Sequence, residues 1–448
     1  MNSSQSTSTA SPVAKAACHH DDARAVLERL RTAGHTAYFA GGCVRDLLLG
    51  REPKDWDVAT DASPSRVRAL FPNTQAVGAA FGVILVRHRG SVVEVATFRA
   101  DAEYIDGRHP TGVRFTTAEE DARRRDFTIN GLFLDPLRNA PLAEQVIDHV
   151  GGRADLAGRL IRAIGEPDAR FNEDHLRMLR AVRFAARFDF TIEAQTASAI
   201  RAHAGQLIRI SPERIADELR TMLTPATRGS AYRMLEELCL RALLFRFLEL
   251  PAGDGRIDHE KSVFAALAPG ENIGFGVALA AASIDHYLWH GPANADIRRF
   301  FERPVALKIV RALRQSLKIS NDESEDLEGA LIGLDPLLGT TPPRLAVVMR
   351  FLAEPTSRAS RALLESGRVL GLLDAGRVQL LQEQLADLEK TEFAPIPFVT
   401  GDDLAKAGLT PGPIFKRILD TVYDAQLEQR VVTKEDALAL ALSVSRAY

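Results

Sequence analysis

Within "AGGCVRDLLLGREPKDWDVAT", residues 40–60, two glycines, an arginine and two aspartates one residue apart share a single short span. Asp55 and Asp57 are the pair with the most chemical potential. Side chains alternate along a strand, so both carboxylates would share one face, about 7 Å apart, while Trp56 turns to the core. Such a pair can bridge one or two Mg²⁺ ions, which are commonly held by one or two carboxylates together with substrate phosphate oxygens. In isolation Asp-x-Asp is more often a solvated turn, so the neighbours decide. Gly41 and Gly42 let backbone N–H groups approach a ligand closely. Arg45, on the helical turn beyond, can pair with a phosphate. Further on, "VVEVATF" places Glu94 between Val93 and Val95, where it can complete a carboxylate triad from an adjacent strand.

Two arginine-rich stretches follow. "EEDARRRDFTINGLF" carries Arg123, Arg124 and Arg125 before Asp126 and an apolar segment read as a helix. A charge run is ordinarily a solvated face, and Asp126 at a helix start is ordinarily a cap. "FNEDHLRMLRAVRFAARF" reads as one helix. On it Asp174 and Arg177 are i,i+3 neighbours, as are Arg177 and Arg180. Arg183 continues the series, and Leu176, Leu179 and Phe184 anchor the other side. Salt bridges within the helix are the plain alternative. Between the segment carrying Glu94 and the first arginine stretch lies "RADAEYIDGRHPTGVRF", where Gly107 and Pro110 mark a mobile loop carrying Asp106 and Arg108.

The elements that would position these groups are legible. "DDARAVLERLRTAG" has helical spacing at Val26, Leu27 and Leu30 and a stop at Gly34. "TAYFAGG" is a strand ending in the double glycine, "VRDLLLG" a short helix closed by Gly50, and "DWDVAT" a second strand. "SPSRVRALF" starts a helix with Ser63 as cap and Pro64 at the first position. "GVILVRH" and "SVVEVATFR" form a hairpin across an Arg-Gly turn. From about residue 166 the pattern is helical almost throughout.

Composition sets outer bounds. Three cysteines, Cys18, Cys43 and Cys239, are far apart and outside any CxxC pair, which argues against a disulfide framework or a zinc site and fits a reducing, cytoplasmic setting. A net charge of −3 gives no global basic field, so a nucleic-acid partner would be held by local arginine clusters. No apolar run is long enough to cross a bilayer. The Ser/Thr-rich start reads as a disordered leader and not a secretory signal.

Taken together, "GGCVRDLLLGREPKDWDVATDASPSRVRALFP" resembles the signature of the tRNA nucleotidyltransferase and poly(A) polymerase family, the class shared by bacteria and eukaryotes. The motif order continues from residue 21 nearly to the end. The resemblance implies an α+β protein with a polymerase-β-like head of mixed sheet and helices over residues 21–150, after a leader of residues 1–20. It also implies an all-α remainder: a neck over 151–225 that selects the base, a helical body over 226–390 and a tail over 391–448 that contacts tRNA. Asp55 and Asp57 would then bind Mg²⁺, with Glu94 as the third catalytic carboxylate, and an RNA 3′-hydroxyl would attack the α-phosphate of CTP or ATP. Gly42, Arg45, Arg124 and Arg125 would contact the nucleotide. Asp174 and Arg177 would read the base edge, with Arg180 and Arg183 positioning the nucleotide. The loop with Asp106 and Arg108 would serve the switch from CTP to ATP; His109 stands where relatives often have arginine. Addition of CCA to tRNA is the leading activity. Alternatives are A-only addition, poly(A) synthesis and a non-catalytic RNA-binding relative.

The body resembles a worn HD-type phosphohydrolase domain. Asp285-His286 reverses the His-Asp order and Ile284 replaces a histidine, so the expectation is a structural body without a hydrolase site. In the tail, Thr400 to Asp403 read as a helix cap, and "GLTPGP" as a turn whose N–H groups suit an RNA phosphate.

Overall fold

The computed structural model describes residues 19–76, 82–101, 113–248, 262–267, 273–290, 296–339 and 341–446. The leader through Cys18 and the loop with Asp106 and Arg108 lie outside the described residues. The chain divides into two compact units, Met1–Ile210 and Ser211–Tyr448, a division that falls inside the segment read as a neck.

The first unit is built on a seven-stranded sheet. Its strands are β1 Ala37–Ala40, β2 Val58–Thr60, β3 Thr74–Ala76, β4 Val83–His88 and β5 Ser91–Thr97. After the short pair β6 Arg99–Asp101 and β7 Val113–Phe115, β8 Leu132–Leu134 and β9 Val146–Asp148 return to it. The order is β3-β4-β5-β2-β1-β8-β9. All neighbours are antiparallel except β2 and β5, which run parallel with Val58 opposite Val95. The β4–β5 hairpin turns through Arg89 and Gly90, both at positive φ, the conformation a tight primed turn requires.

Helices cover the sheet as the apolar spacing dictates. α1, His20–Thr32, buries Val26, Leu27 and Leu30, and Gly34 beyond it takes φ +88°. α2, Gly42–Leu48, follows β1 directly. α3, Pro64–Leu70, starts with the Ser63 hydroxyl accepting from the Arg66 N–H, a cap contributing about 1 kcal/mol. One sheet face gathers Phe39, Trp56 and Val58 beneath α1. The other joins Ala40, Ala59, Phe98, Phe133 and Ala122 of α4, Ala118–Arg123. Next come α5 Leu142–Gln145, α6 Gly152–Ala157, α7 Pro167–Glu173, α8 Arg177–Phe188 and α9 Ala194–His203, with β10 Leu160–Ile161 pairing β11 Thr191–Ile192.

Two expectations need correcting here. The apolar stretch after Asp126 is not a helix but a single 3₁₀ turn, Thr128–Asn130, leading into β8. "FNEDHLRMLRAVRFAARF" is not one helix either: α7 ends at Glu173, Asp174 takes extended backbone angles, and α8 starts at Arg177.

The second unit is helical. At its centre is α14, counting α10 Pro212–Met222, α11 Arg228–Glu237, α12 Arg241–Leu244 and α13 Val263–Ala266 before it. α14, Phe275–His290, is buried on every side from Gly276 to Trp289, as its continuous apolar sequence requires. Asp285 lies within it and accepts from the Ser262 hydroxyl (2.6 Å) and from the N–H groups of Val263 (2.6 Å) and Phe264 (3.3 Å). It thus caps α13. The His286 ring lies 4.7 Å from that of His290, tilted against it, and burial, with that neighbour and Arg241, pushes its pKa down to about 3. Toward the end, Val399, Leu404, Ile418, Val422 and Ala437 form a separate small core, with Thr400 and Asp403 making the capping box at the helix Gly401–Lys406. No helix among the described residues is long and apolar enough to cross a membrane.

Burial pushes the Asp285 carboxyl up to about 7, against the three donors and Arg241. A raised pKa means the folded state holds this proton more tightly. The contribution to stability is therefore full below the ordinary carboxylate range, about pH 4, and is lost as pH rises through 7. Thermal midpoints of the wild type should fall relative to Asp285→Asn as pH rises from about 5 to 8; parallel curves would contradict this assignment.

Candidate active site

The site grows from the β1–α2 junction. Gly41 takes φ +72°, and a Cβ there would stand 2.6 Å from an Arg125 Nη1. The backbone angle is what requires glycine here; a side chain would in addition push Arg125 aside. Gly42 opens α2, and a Cβ there would meet only Arg45, at an ordinary 3.6 Å.

Asp55 and Asp57 stand just before β2, not within it. The alternation holds nonetheless. Trp56 is buried against Phe39 and His20 at 4.9 and 4.6 Å, while Asp55 is exposed and Asp57 half-buried. The Asp57 carbonyl accepts from the Ala40 N–H at 3.0 Å, carrying the β1–β2 ladder one step further. On the other flank, one step back from the Val58–Val95 pair sets Glu94 beside Asp57 in the parallel register. Asp57 also faces α2: burial first, and then this carboxylate, push the Cys43 thiol up to about 12, so Cys43 is an inert neighbour and no nucleophile.

Among the described residues, no group of three or more His, Cys, Asp and Glu side chains could hold a metal ion. The donor set fits a different arrangement. Two carboxylates at a strand start, one exposed and one half-buried, match the hard-oxygen, partly open shell that Mg²⁺ completes with water and substrate oxygens.

The arginines divide into groups according to what holds them. Asp121, buried on α4, accepts from Arg124 Nε at 2.8 Å and from Arg125 Nη2 at 3.0 Å. Burial raises its pKa, but the two guanidinium groups outweigh that and hold it below the usual range. Arg125 Nη1 also donates to the Asn130 carbonyl at 3.1 Å. Both arginines keep about a fifth of their side-chain surface exposed.

Arg45 is placed differently from the sequence expectation. It is 4 % exposed, donating to Asp46 through Nε (2.8 Å) and Nη2 (2.6 Å) and to Asn130 Oδ1 through Nη1 (2.6 Å). A phosphate contact would have to displace these partners, so in this structure Arg45 supports the glycine turn from beneath.

Asp126 is the residue the sequence reading undervalued. It is buried and caps no helix. Oδ1 accepts from the Phe127 N–H (2.8 Å) and Asn130 Nδ2 (3.0 Å), while Oδ2 accepts from Arg180 Nε (2.9 Å) and Nη2 (2.6 Å). Burial would raise its pKa; Arg180 and Asn130 reverse that and bring it to about 2. Asn130 therefore joins Arg45 to Asp126, and Arg180 joins Asp126 to α8. Below it, Asp148 gathers the N–H groups of Val150, Gly151, Gly152 and Arg153, and a Cβ at Gly152 would stand 2.2 Å from the Thr128 carbonyl.

The expected base-reading pair stands where α7 meets α8. Asp174 Oδ1 accepts from the Leu176 N–H at 3.1 Å. Arg177, the first residue of α8, donates to Glu173 (2.6 Å) and to the Arg170 and Arg124 carbonyls (3.2 Å each). Arg177 thus pairs with the Glu173 carboxylate, four residues back across the break between α7 and α8. Arg183 lies 4.3 Å over the Phe184 ring. Leu176, Leu179 and Phe184 are buried, as their spacing predicts.

The depressed Asp126 pKa corresponds to stability that is fully present above about pH 4 and is lost as pH falls toward 2. A shift of this size is worth about 2 kcal/mol. Asp126→Asn should cost roughly that much at pH 7 and flatten the acid limb of stability against pH, measured by denaturant unfolding. An unchanged acid limb would contradict the pairing.

Residues 37–162 match the family model described as "Poly A polymerase head domain", and residues 189–250 the model described as "Probable RNA and SrmB- binding site of polymerase A". A CCA-adding enzyme of Geobacillus thermodenitrificans is 44% identical over 220 residues, which spans 49% of this chain and only 53% of that enzyme. One from Levilactobacillus brevis is 44% identical over 426 residues, covering 92% of this chain and 93% of the relative. Among solved structures, the Bacillus stearothermophilus CCA-adding enzyme in complex with CTP aligns with a TM-score of 0.67 at 27% identity, over 95% of this chain and 98% of that one. A Thermotoga maritima CCA-adding enzyme complexed with tRNA shares the fold, with a TM-score of 0.60 at 19% identity over 94% of each chain. With identity of this order sustained along almost its whole length, the chain belongs to the family of CCA-adding enzymes, nucleotidyltransferases built on a poly(A) polymerase head.

Proposed function

We propose that this chain adds C, C and A in succession to the 3′ end of tRNA, without a nucleic-acid template, using CTP and ATP and releasing pyrophosphate. The observation that carries this reading is the nearly full-length identity to a CCA-adding enzyme. The residues singled out for chemistry also fall within one compact unit.

Asp55, Asp57 and Glu94 form the catalytic edge, with Asp55 and Asp57 holding Mg²⁺. When bound, the metal lowers the pKa of the attacking 3′-hydroxyl and neutralises charge on the leaving pyrophosphate. The Gly41–Gly42 turn keeps side chains out of the path of the triphosphate, and Gly42 lies against it. Arg124 and Arg125, held in place by Asp121, take the ribose and phosphates.

Base choice belongs to Asp174 and Arg177. Cytosine and adenine both present an exocyclic amine beside an unprotonated ring nitrogen, whereas uracil and guanine present a carbonyl beside an N–H. A carboxylate that accepts from the amine and a guanidinium that donates to the ring nitrogen therefore favour C and A over U and G. Arg180, fixed by Asp126, and Arg183 position the nucleotide on the same helix.

Incubation with a tRNA transcript lacking CCA, CTP, ATP and Mg²⁺ tests the proposal. Asp55→Ala and Asp57→Ala should lower incorporation by roughly 10³-fold or more, the scale of removing a group that stabilises transition-state charge. tRNA retention in a filter-binding assay should stay within about twofold, because the carboxylates contribute nothing attractive to the RNA backbone. Turnover that survives either substitution would remove the metal-ligand assignment.

A further inference from the structure

The nucleotide in the proposed reaction is one covalent molecule of limited reach, gripped at two places. Its phosphates lie at the Gly41–Gly42 turn, and its base lies at the first turn of α8. Selectivity then depends on the offset between α2 and α8, since a correct base reaches Asp174 and Arg177 only if that offset is held.

Three contacts hold α8 in place, one of them directly to α2. At its first turn, Arg177 Nη2 donates to the Arg124 carbonyl at 3.2 Å. One turn on, Arg180 is paired with Asp126. At the last turn, Arg187 Nη2 lies 3.3 Å from Asp46 Oδ2, and Asp46 Oδ1 is the atom that holds Arg45 on α2. One carboxylate on α2 thus bridges a guanidinium of its own helix and one from the far end of α8. Aromatic packing fills the space between. Arg45 lies 4.5 Å over Phe188 and 5.3 Å over Phe184, whose rings stack in parallel at 6.1 Å, and Arg187 covers Phe188 at 5.1 Å.

We infer that Arg187 and Asp46 are positioning residues that determine nucleotide specificity, by locking the far end of α8 to the helix that follows the glycine turn. The inference rests on the nucleotidyl-transfer reading above. Arg177 and Arg187 are ten residues apart, about 15 Å along the axis. Without that far contact the helix can pivot about the Arg180–Asp126 pair, which swings the Arg177 end as well. Arg177 lies three residues, about 4.5 Å, from that pivot, so a rotation of about 13° moves it by about 1 Å, and misplacement of that size can cost about 10²-fold in rate. Neither residue reaches the base itself; both act through α8.

Arg187 offers a clean test. Its side chain is 37% exposed, and removing it leaves Asp46 still paired with Arg45, so no buried carboxylate is orphaned. In steady-state assays with a tRNA transcript, Arg187→Ala should narrow the kcat/KM preference for CTP over UTP by about tenfold. The KM for tRNA should stay within about twofold, since no phosphate contact is lost, with little change in melting temperature. Arg187→Lys, which restores a cation, should recover most of the preference. Asp46→Ala combined with Arg187→Ala should be no worse in selectivity than Asp46→Ala alone, because the two act as one contact. Unchanged preference in Arg187→Ala would overturn the inference. So would an equal loss for CTP and UTP accompanied by a lower melting temperature, the mark of a purely structural residue. A wild type that adds no nucleotide overturns the activity reading and this inference with it; an active wild type with unaltered selectivity in Arg187→Ala overturns this inference alone.

Discussion

A buried carboxylate that stays ionised is the constraint on which the first unit depends. Asp126 is almost fully enclosed, and burial by itself would drive it neutral. Arg180 supplies the compensating charge and Asn130 a further donor. The consequence is mechanical as much as electrostatic. If α8 moved away, Asp126 would be left as an uncompensated buried charge, an arrangement that costs about 3–5 kcal/mol when one partner is removed. The helix that carries Arg177 is therefore not free to settle wherever apolar contacts allow. It is fixed to the segment that also holds Asn130, and through Asn130 to Arg45 beneath the glycine turn.

This arrangement explains why so many arginines crowd one region without repelling one another. Each has a designated acceptor: Asp46 for Arg45 and Arg187, Asp121 for Arg124 and Arg125, Asp126 for Arg180, Glu173 for Arg177. Phe184 and Phe188 separate the interior guanidinium groups and offer ring faces to them, an attraction of about 0.5–2 kcal/mol for each contact. Positive charge is thereby oriented before any ligand arrives. A negatively charged triphosphate can then meet a preorganised surface, with little reorganisation left to its own binding energy.

The sequence disclosed what depends on local patterning. α1 follows from the spacing of Val26, Leu27 and Leu30, and the hairpin from β-branched runs around Arg89-Gly90. Trp56 in the core with carboxylates on either side follows from strand alternation, even though the regular strand begins only at Val58. Long-range pairing was not disclosed. Arg45 looks like an exposed helix arginine, because its partner Asn130 lies 85 residues away and Asp46 is an adjacent residue, which on a helix does not normally face it. Asp126 has the position of a cap, and nothing local announces Arg180, 54 residues on. The break between α7 and α8 was hidden for the opposite reason: Glu173, Leu176 and Arg177 keep helical spacing on both sides of Asp174, so periodicity runs across an extended residue that only backbone angles reveal.

The central proposal is that Asp55 and Asp57, with base choice assigned to α8, the helix Asp126 holds through Arg180, build a defined trinucleotide. It is tested most directly with three tRNA transcripts, ending before CCA, after C and after CC. Each is incubated with the wild-type chain, Mg²⁺ and CTP, ATP or both, and the products are sized at single-nucleotide resolution. The account predicts that all three grow to the same CCA end and stop there, with CTP alone carrying the first two to CC. Extension of only the CC-ended transcript by a single A, or growth of long A tracts, would contradict it.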